Sequence, residues 1–250
     1  MTATREVPGL DRIRVDERLD RSIPTDITFR DHEGRTVRLA DYFVAGKPVL
    51  LNFAYHSCTT LCTMVLDAVT RGISGVEWTA GDQYEIVTIS IDTNDTPEQA
   101  ATKRSGLLKR YGREAGAQGW HFLVGEADAI ERITDAVGFR YFYDSRQESF
   151  AHPAVIVFLT PAAKVARYIY GIEFAPESIR MALLEASEGR SITTTEQFLM
   201  YCYAYDPAAG SYVLMATRIM KLGGLLTLLV LGGFLGTLWR RERHRPRVAS

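Results

Sequence analysis

Two cysteines, Cys58 and Cys62, stand four residues apart just after the apolar run VLLNFA, residues 49–54, has broken into the polar turn Tyr55-His56-Ser57. The run carries no polar residue but Asn52, the pattern of a strand buried on both faces. Past the turn, Leu61, Val65, Leu66 and Val69 recur at helical spacing, and Gly72 reads as the stop. The two thiols therefore fall where a central strand hands over to the N-terminus of a helix. Unpaired main-chain N–H groups and the helix dipole at that end favour thiolate over thiol. Two neighbouring thiolates form a soft ligand pair suited to Cu(I) or zinc, and they can equally close as a disulfide. His56, beside the pair, is a further candidate as an extra ligand or a proton donor.

The elements that must position these groups follow in order along the chain. Residues 1–22 read as a charged, irregular arm, and DITFRDHEGRTVRLADYF, residues 26–43, as a β-hairpin running into a short turn segment. YEIVTISID, residues 84–92, is a second apolar strand. Thr96, Pro97 and Gln99 supply an N-cap, a first-turn proline and the capping-box partner of a helix that ends at Gly112. A short strand at 121–124 and a helix at 127–137 come next, then an extended segment at 139–143. VIVFL, residues 155–159, is a third core strand, paired with 165–170 as a hairpin, and residues 176–188 form the closing helix. A hairpin, then β-α-β-α, an inserted strand and helix, and finally β-β-α is the order of a thioredoxin-like α/β fold over residues 23–190. In such a sheet the start of the third core strand lies beside the cysteine loop, and the peptide bond before a proline there is often cis. His152, directly before Pro153, occupies that place, faces the cysteines in this reading, and completes a site of two sulfurs and one nitrogen. Asp92, closing the second strand, reads either as an acceptor that orients a ligand or loop, or as part of the helix cap with Asp95 and Thr96. His32, His121 and His244 read as surface or tail residues.

Composition bounds the function. The formal net charge of the 250-residue chain is only −1, and five arginines against the single Glu242 fall in the last eleven residues, so the body before them is mildly acidic. That balance argues against nucleic acid, whose binding rests on basic contacts to phosphate. Residues 222–239, LGGLLTLLVLGGFLGTLW, carry no charge and would span roughly 27 Å of hydrocarbon as a helix. They read as one C-terminal transmembrane helix, followed by a basic tail at 240–250 that the positive-inside rule places in the cytoplasm. The main domain then lies on the periplasmic, extracytoplasmic side of the cell membrane. Residues 1–22 contain no apolar core of signal-peptide length, so export implies a leader not visible in this sequence. The segment 191–221, with Phe198, Tyr201, Tyr203, Tyr205 and Tyr212, reads as an aromatic juxtamembrane collar, in which Met200 and Cys202 serve packing more than copper transfer.

The cysteine pair after the first core strand, SIDTNDTPEQA after the second, and a histidine ahead of a strand ending in LTP together resemble the Sco/SenC family, over roughly residues 23–187. The C-terminal collar and single span resemble a bacterial subgroup anchored at that end. The resemblance implies a thioredoxin fold that binds copper, as Cu(I) and in a second state as Cu(II), through Cys58, Cys62 and His152. It implies a metallochaperone that delivers copper to the CuA centre of cytochrome c oxidase subunit II or to another membrane-bound copper protein. The alternative it carries is a thiol–disulfide oxidoreductase, with Cys58 attacking and Cys62 resolving, that reduces the cysteines of that partner. Thr59 and Thr63 stand where the family's loop usually has prolines.

Overall fold

The computed structural model describes residues 12–43, 46–57, 61–114, 116–189, 203–206, 211–214, 224–231 and 235. Strand β1 (Arg14–Val15) precedes the hairpin β2 (Thr28–Asp31) and β3 (Thr36–Arg38), after which a single 3-10 turn covers Leu39–Tyr42. The cysteine-bearing unit follows as β4 (Val49–Ala54) and α1 (Leu61–Ser74), then β5 (Glu85–Ser90) and α2 (Pro97–Tyr111). The inserted pair is β6 (Trp120–Val124), preceded by the one-turn α3 (Gly116–Gly119), and α4 (Ala127–Ala136). Short strands β7 (Phe139–Arg140), β8 (Phe142–Asp144) and β9 (Ser149–Ala151) lead to β10 (Val155–Leu159), β11 (Val165–Tyr170) and α5 (Pro176–Ser187).

Seven strands form one mixed sheet in the order β11-β10-β4-β5-β6-β2-β3. β4, β5 and β6 run parallel, and β10 lies antiparallel to β4 with Ile156 opposite Asn52. This is the thioredoxin-like arrangement expected from the element order, with the hairpin added at the β6 edge. Every residue of β4 and β5 is buried, which is why these strands read as unbroken apolar runs. Val49, Leu51, Phe53, Val87, Ile89 and Leu123 pack on the face covered by Ile130 and Ile133 of α4. Helices α1, α2 and α5 form the other layer, α5 lying on β4, β10 and β11 and α2 on β6.

Four local readings change. The arm is not irregular throughout: Arg14 and Val15 pair antiparallel with Arg140 and Phe139, and Asp16 N–H donates to the Gly138 carbonyl at 2.8 Å. The extended segment at 139–143 is split, its second part forming a hairpin of β8 with β9. Gly72 does not stop α1, which continues to Ser74. A Cβ there would stand 2.6 Å from Ile179 Cδ1 and 2.7 Å from the Phe174 carbonyl oxygen, so the glycine marks the place where α1 meets the start of α5. Nor are His32 and His121 surface residues. The His121 side chain is 20% exposed, its Nε2 lies 3.0 Å from Glu85 Oε2, and its ring lies tilted against Tyr42 at 4.3 Å. His32 is 11% exposed in its side chain, and burial, with the cation of Arg104, pushes its pKa down. The capping box is as expected, Thr96 N–H donating to Gln99 Oε1 at 2.7 Å, and Gly112 ends α2 at φ 72°.

Most of the chain after Thr193 forms a second unit. Further along the chain β12 (Tyr203–Asp206) and β13 (Ser211–Leu214) pair with each other, and residues 224–231 are helical with exposed leucines. Among the described residues no helix is long and apolar enough to cross a membrane. The remainder of 222–239, together with Met200, Cys202 and His244, lies outside the described residues.

The Gly72 contact gives a signed pair of outcomes. Gly72→Ala should lower unfolding stability by about 1–3 kcal/mol although alanine favours helix. Gly106→Ala, with only Arg110 Nη1 near at 3.9 Å, should raise it by about 0.5–1 kcal/mol. Urea unfolding of both variants checks this. Burial alone would raise the pKa of Glu85, but hydrogen bonds from His121 and Lys47 outweigh it and hold the carboxyl below its ordinary 4.5. A depressed folded-state pKa contributes stability above the ordinary carboxylate range that is lost as pH falls through the folded value. Urea midpoints between pH 6 and pH 3, each taken as an approximate bound for this carboxylate range, should therefore fall less steeply in Glu85→Gln than in the parent chain.

Candidate functional site

The parallel pairing of β4 and β5 brings the segments that leave their C-terminal ends to the same edge of the sheet. The antiparallel β10 starts at that edge too, because Ile156 opposite Asn52 sets Pro153 and Ala154 beside the end of β4. Ligands in open α/β sheets gather at such strand ends. Three groups of residues meet here: the turn Tyr55-His56-Ser57 that precedes Cys58, the loop 91–96 that leaves β5, and the connection 152–154 that enters β10.

Asp95, 5% exposed, holds the first two together. Its Oδ2 accepts the main-chain N–H of His56 and the hydroxyl of Ser90, the latter at 2.6 Å, and its Oδ1 accepts the N–H of Ser57 at 3.2 Å. A buried carboxylate needs such donors, since leaving a charge unpaired in the interior costs several kcal/mol. Asp92, which the sequence offered for this role, instead closes a local turn through Asn94, whose N–H and Nδ2 both lie 2.9 Å from Asp92 Oδ1. The orienting acceptor is thus three residues further on, in the residue grouped with the helix cap. The parallel order of the two strands was the available signal, because it forces the loop after β5 to lie beside the loop after β4.

His152 is where the sequence reading put it, at the start of β10 and 6% exposed. Its Nδ1 lies 3.1 Å from the Pro153 carbonyl oxygen. A carbonyl only accepts, so Nδ1 carries the proton. The ring stands edge-on to Tyr55 at 6.4 Å and tilted against Phe139 at 6.1 Å. Burial among these rings pushes its pKa down, against the Pro153 carbonyl, which favours the charged form. A neutral imidazole with one nitrogen fixed is the form that binds a metal. The expectation of a cis bond before Pro153 is not met: the described chain contains no cis peptide, and this bond takes the trans form that X-Pro bonds intrinsically prefer.

His56 turns to the other side of the turn. It is 5% exposed, its ring lies 5.5 Å from that of Phe122, and neither ring nitrogen makes a hydrogen bond to a described residue. Burial pushes its pKa down more than the Asp95 carboxylate and the Leu123 main chain push it up. Tyr55 packs towards His152 and Phe150 while His56 packs towards Phe122 and α2, so the two histidines approach the turn from different neighbourhoods. Cys58 lies outside the described residues. Cys62 enters as a backbone position in the first turn of α1, where the helix N-terminus was expected. Among the described residues no three His, Cys, Asp or Glu side chains form a metal cluster.

Comparison with known proteins adds the following. A family model described as SCO1/SenC matches residues 15–187. No curated protein matches the chain in sequence. A solved protein from Aquifex aeolicus VF5 is 26% identical with a TM-score of 0.60, over 70% of this chain and 96% of that one. ScoI of Arabidopsis thaliana, solved with copper bound, is 17% identical with a TM-score of 0.53, over 66% of this chain and 97% of its own. BsSco, a member of the Sco family of cytochrome c oxidase assembly proteins with an identified disulfide switch, is 20% identical with a TM-score of 0.52, over 70% of this chain and 98% of its own. At these identities the last two establish the likeness of fold.

The Asp95 contacts predict the cost of losing them. Asp95→Ala should destabilise the protein by about 2–4 kcal/mol, because two main-chain donors and a hydroxyl lose a charged acceptor. Asp95→Asn should cost nearly as much, since an amide sets N–H donors against N–H donors. Equal urea midpoints for Asp95→Asn and the parent chain would show that the carboxylate does not hold this turn.

Proposed function

The chain belongs to the SCO1/SenC family, and from that premise we propose that it carries copper for the assembly of a membrane-bound copper centre, the CuA site of cytochrome c oxidase subunit II or a similar one. The metal is cargo. Cu(I) is bound by the thiolates of Cys58 and Cys62 and by Nε2 of His152, and is released to the partner's own thiolates by ligand exchange. The observation that carries this reading is the state of His152, a buried imidazole at the edge of the sheet where the cysteine loop leaves β4, with Nδ1 committed to a carbonyl. Two soft sulfurs and one neutral nitrogen suit Cu(I) over hard cations. The backbone of Cys62 in the first turn of α1 favours the thiolate form that ligation requires.

Residues 222–239 tether the domain as a single-pass helix, with the domain on the extracytoplasmic side and the arginine-rich end at 240–250 in the cytoplasm. What supports this is the uncharged eighteen-residue run and the basic cluster directly after it. A tether confines the carrier to the surface where a membrane-bound acceptor presents its cysteines.

Anaerobic Cu(I) titration of the full-length protein against a competing chelator tests the ligand set. The parent chain should bind about one Cu(I) once reduced, Cys58→Ser and Cys62→Ser should abolish tight binding, and His152→Ala should weaken it by roughly 10–100-fold. Unchanged affinity in His152→Ala would sink the three-ligand site. Rapid catalytic reduction of a model disulfide with no Cu(I) affinity would instead support the oxidoreductase reading of the same two cysteines.

A further inference from the structure

The first turn of α1, which carries Cys62, is joined to α2 by a polar contact. Lys103 Nζ donates to Thr63 Oγ1 at 3.0 Å. Beside this bond lies an open cleft of about 500 Å³ whose lining includes His56, Thr63, Glu98, Lys103, Gly106 and Arg110. Gly106, midway along the facing side of α2, has no side chain to fill it, and a Cβ there would meet only Arg110 Nη1 within 4 Å. Lower on the same seam Arg110 pairs with Asp67 at 2.7 Å, but those side chains are 52% and 32% exposed, and such surface pairs contribute little.

We propose that Lys103 is a positioning residue for the cysteine pair, its ammonium pinning the first turn of α1 to α2 through Thr63 and holding a positive charge one residue from Cys62. Both effects act in one direction. The tether limits fraying of the helix start to which Cys62 belongs. The charge favours thiolates, and it favours the net-negative complex that two thiolates make with a monovalent metal. A lysine with no part in the site would be expected to leave both the metal affinity and the redox balance of the pair unchanged.

The inference deepens the copper reading, and its test has one arm that does not depend on it. Full-length Lys103→Met, Lys103→Arg and Thr63→Val proteins are compared with the parent for anaerobic Cu(I) affinity, for the reduction potential of the Cys58/Cys62 pair in dithiol buffers, and for thermal midpoint. Lys103→Met should bind Cu(I) roughly five- to tenfold more weakly and show a potential roughly 20–30 mV more negative, at about 30 mV per tenfold for a two-electron couple. Lys103→Arg should recover most of both, and Thr63→Val should fall between Met and the parent. Thermal midpoints should move too little to account for either change. Parent-like affinity and potential in Lys103→Met overturn the proposal, as does an arginine variant no better than the methionine one or a Thr63→Val protein identical to the parent. If the parent binds no Cu(I), the copper reading fails by itself, and the potential alone decides the role of Lys103.

Discussion

Burying a carboxylate is unfavourable unless its lone pairs are met, and Asp95 is buried because two consecutive main-chain N–H groups and a hydroxyl meet them. Much of the site geometry depends on that exchange. The donors belong to His56 and Ser57, the last described residues before Cys58, so the carboxylate fixes the point from which the cysteine loop departs. It can reach them because β4 and β5 are parallel neighbours whose exits share one edge. A loop freed from Asp95 would leave the buried His56 N–H unpaired, which ties the position of the loop to the stability of the fold.

The two ends of the parallel strands divide the work. At the N-terminal end of β5, Glu85 takes Lys47 and His121 as partners, and this charged cluster links strands β5 and β6 to the segment that enters β4. At the other end the partners are main-chain N–H groups, a neutral histidine and aromatic rings. The rings there are continuous: Phe53 meets Phe139 at 4.6 Å, Phe139 meets His152, and Tyr55 meets Phe150 at 5.5 Å. They exclude water from the imidazole, which keeps it uncharged.

What the sequence made legible and what it hid follow from whether the signal is local. The buried strands, the Thr96–Gln99 capping box and the order of elements are properties of short stretches, and the structure shows them where the spacing put them. His152 lies ahead of β10, a position that follows from the strand it precedes. The residues misread are those whose role is set by a distant partner. Gly72 has the look of a helix stop until Phe174 and Ile179 come against it, and His121 reads as exposed on a short strand until Glu85 and Tyr42 cover it. The arm carries no periodic pattern at Arg14 and Val15, since two residues paired to β7 are too few to show one. Asp92 and Asp95 are indistinguishable by type, and only the geometry of the turn selects the second.

The threonines in the cysteine loop bear on a wider point about how such a loop can be held. Proline in the first turn of a helix stiffens the backbone at no cost in hydrogen bonds, because those N–H groups have no partner within the helix. A threonine gives up that restriction but offers a hydroxyl, and here the hydroxyl takes a lysine from the neighbouring helix. Ring closure restricts the loop in every state of the protein, whereas a side-chain bond restricts it only while the two helices stay in register. In this chain the entry to the cysteine loop is fixed firmly by a buried carboxylate and its exit more loosely by a lysine at an open cleft.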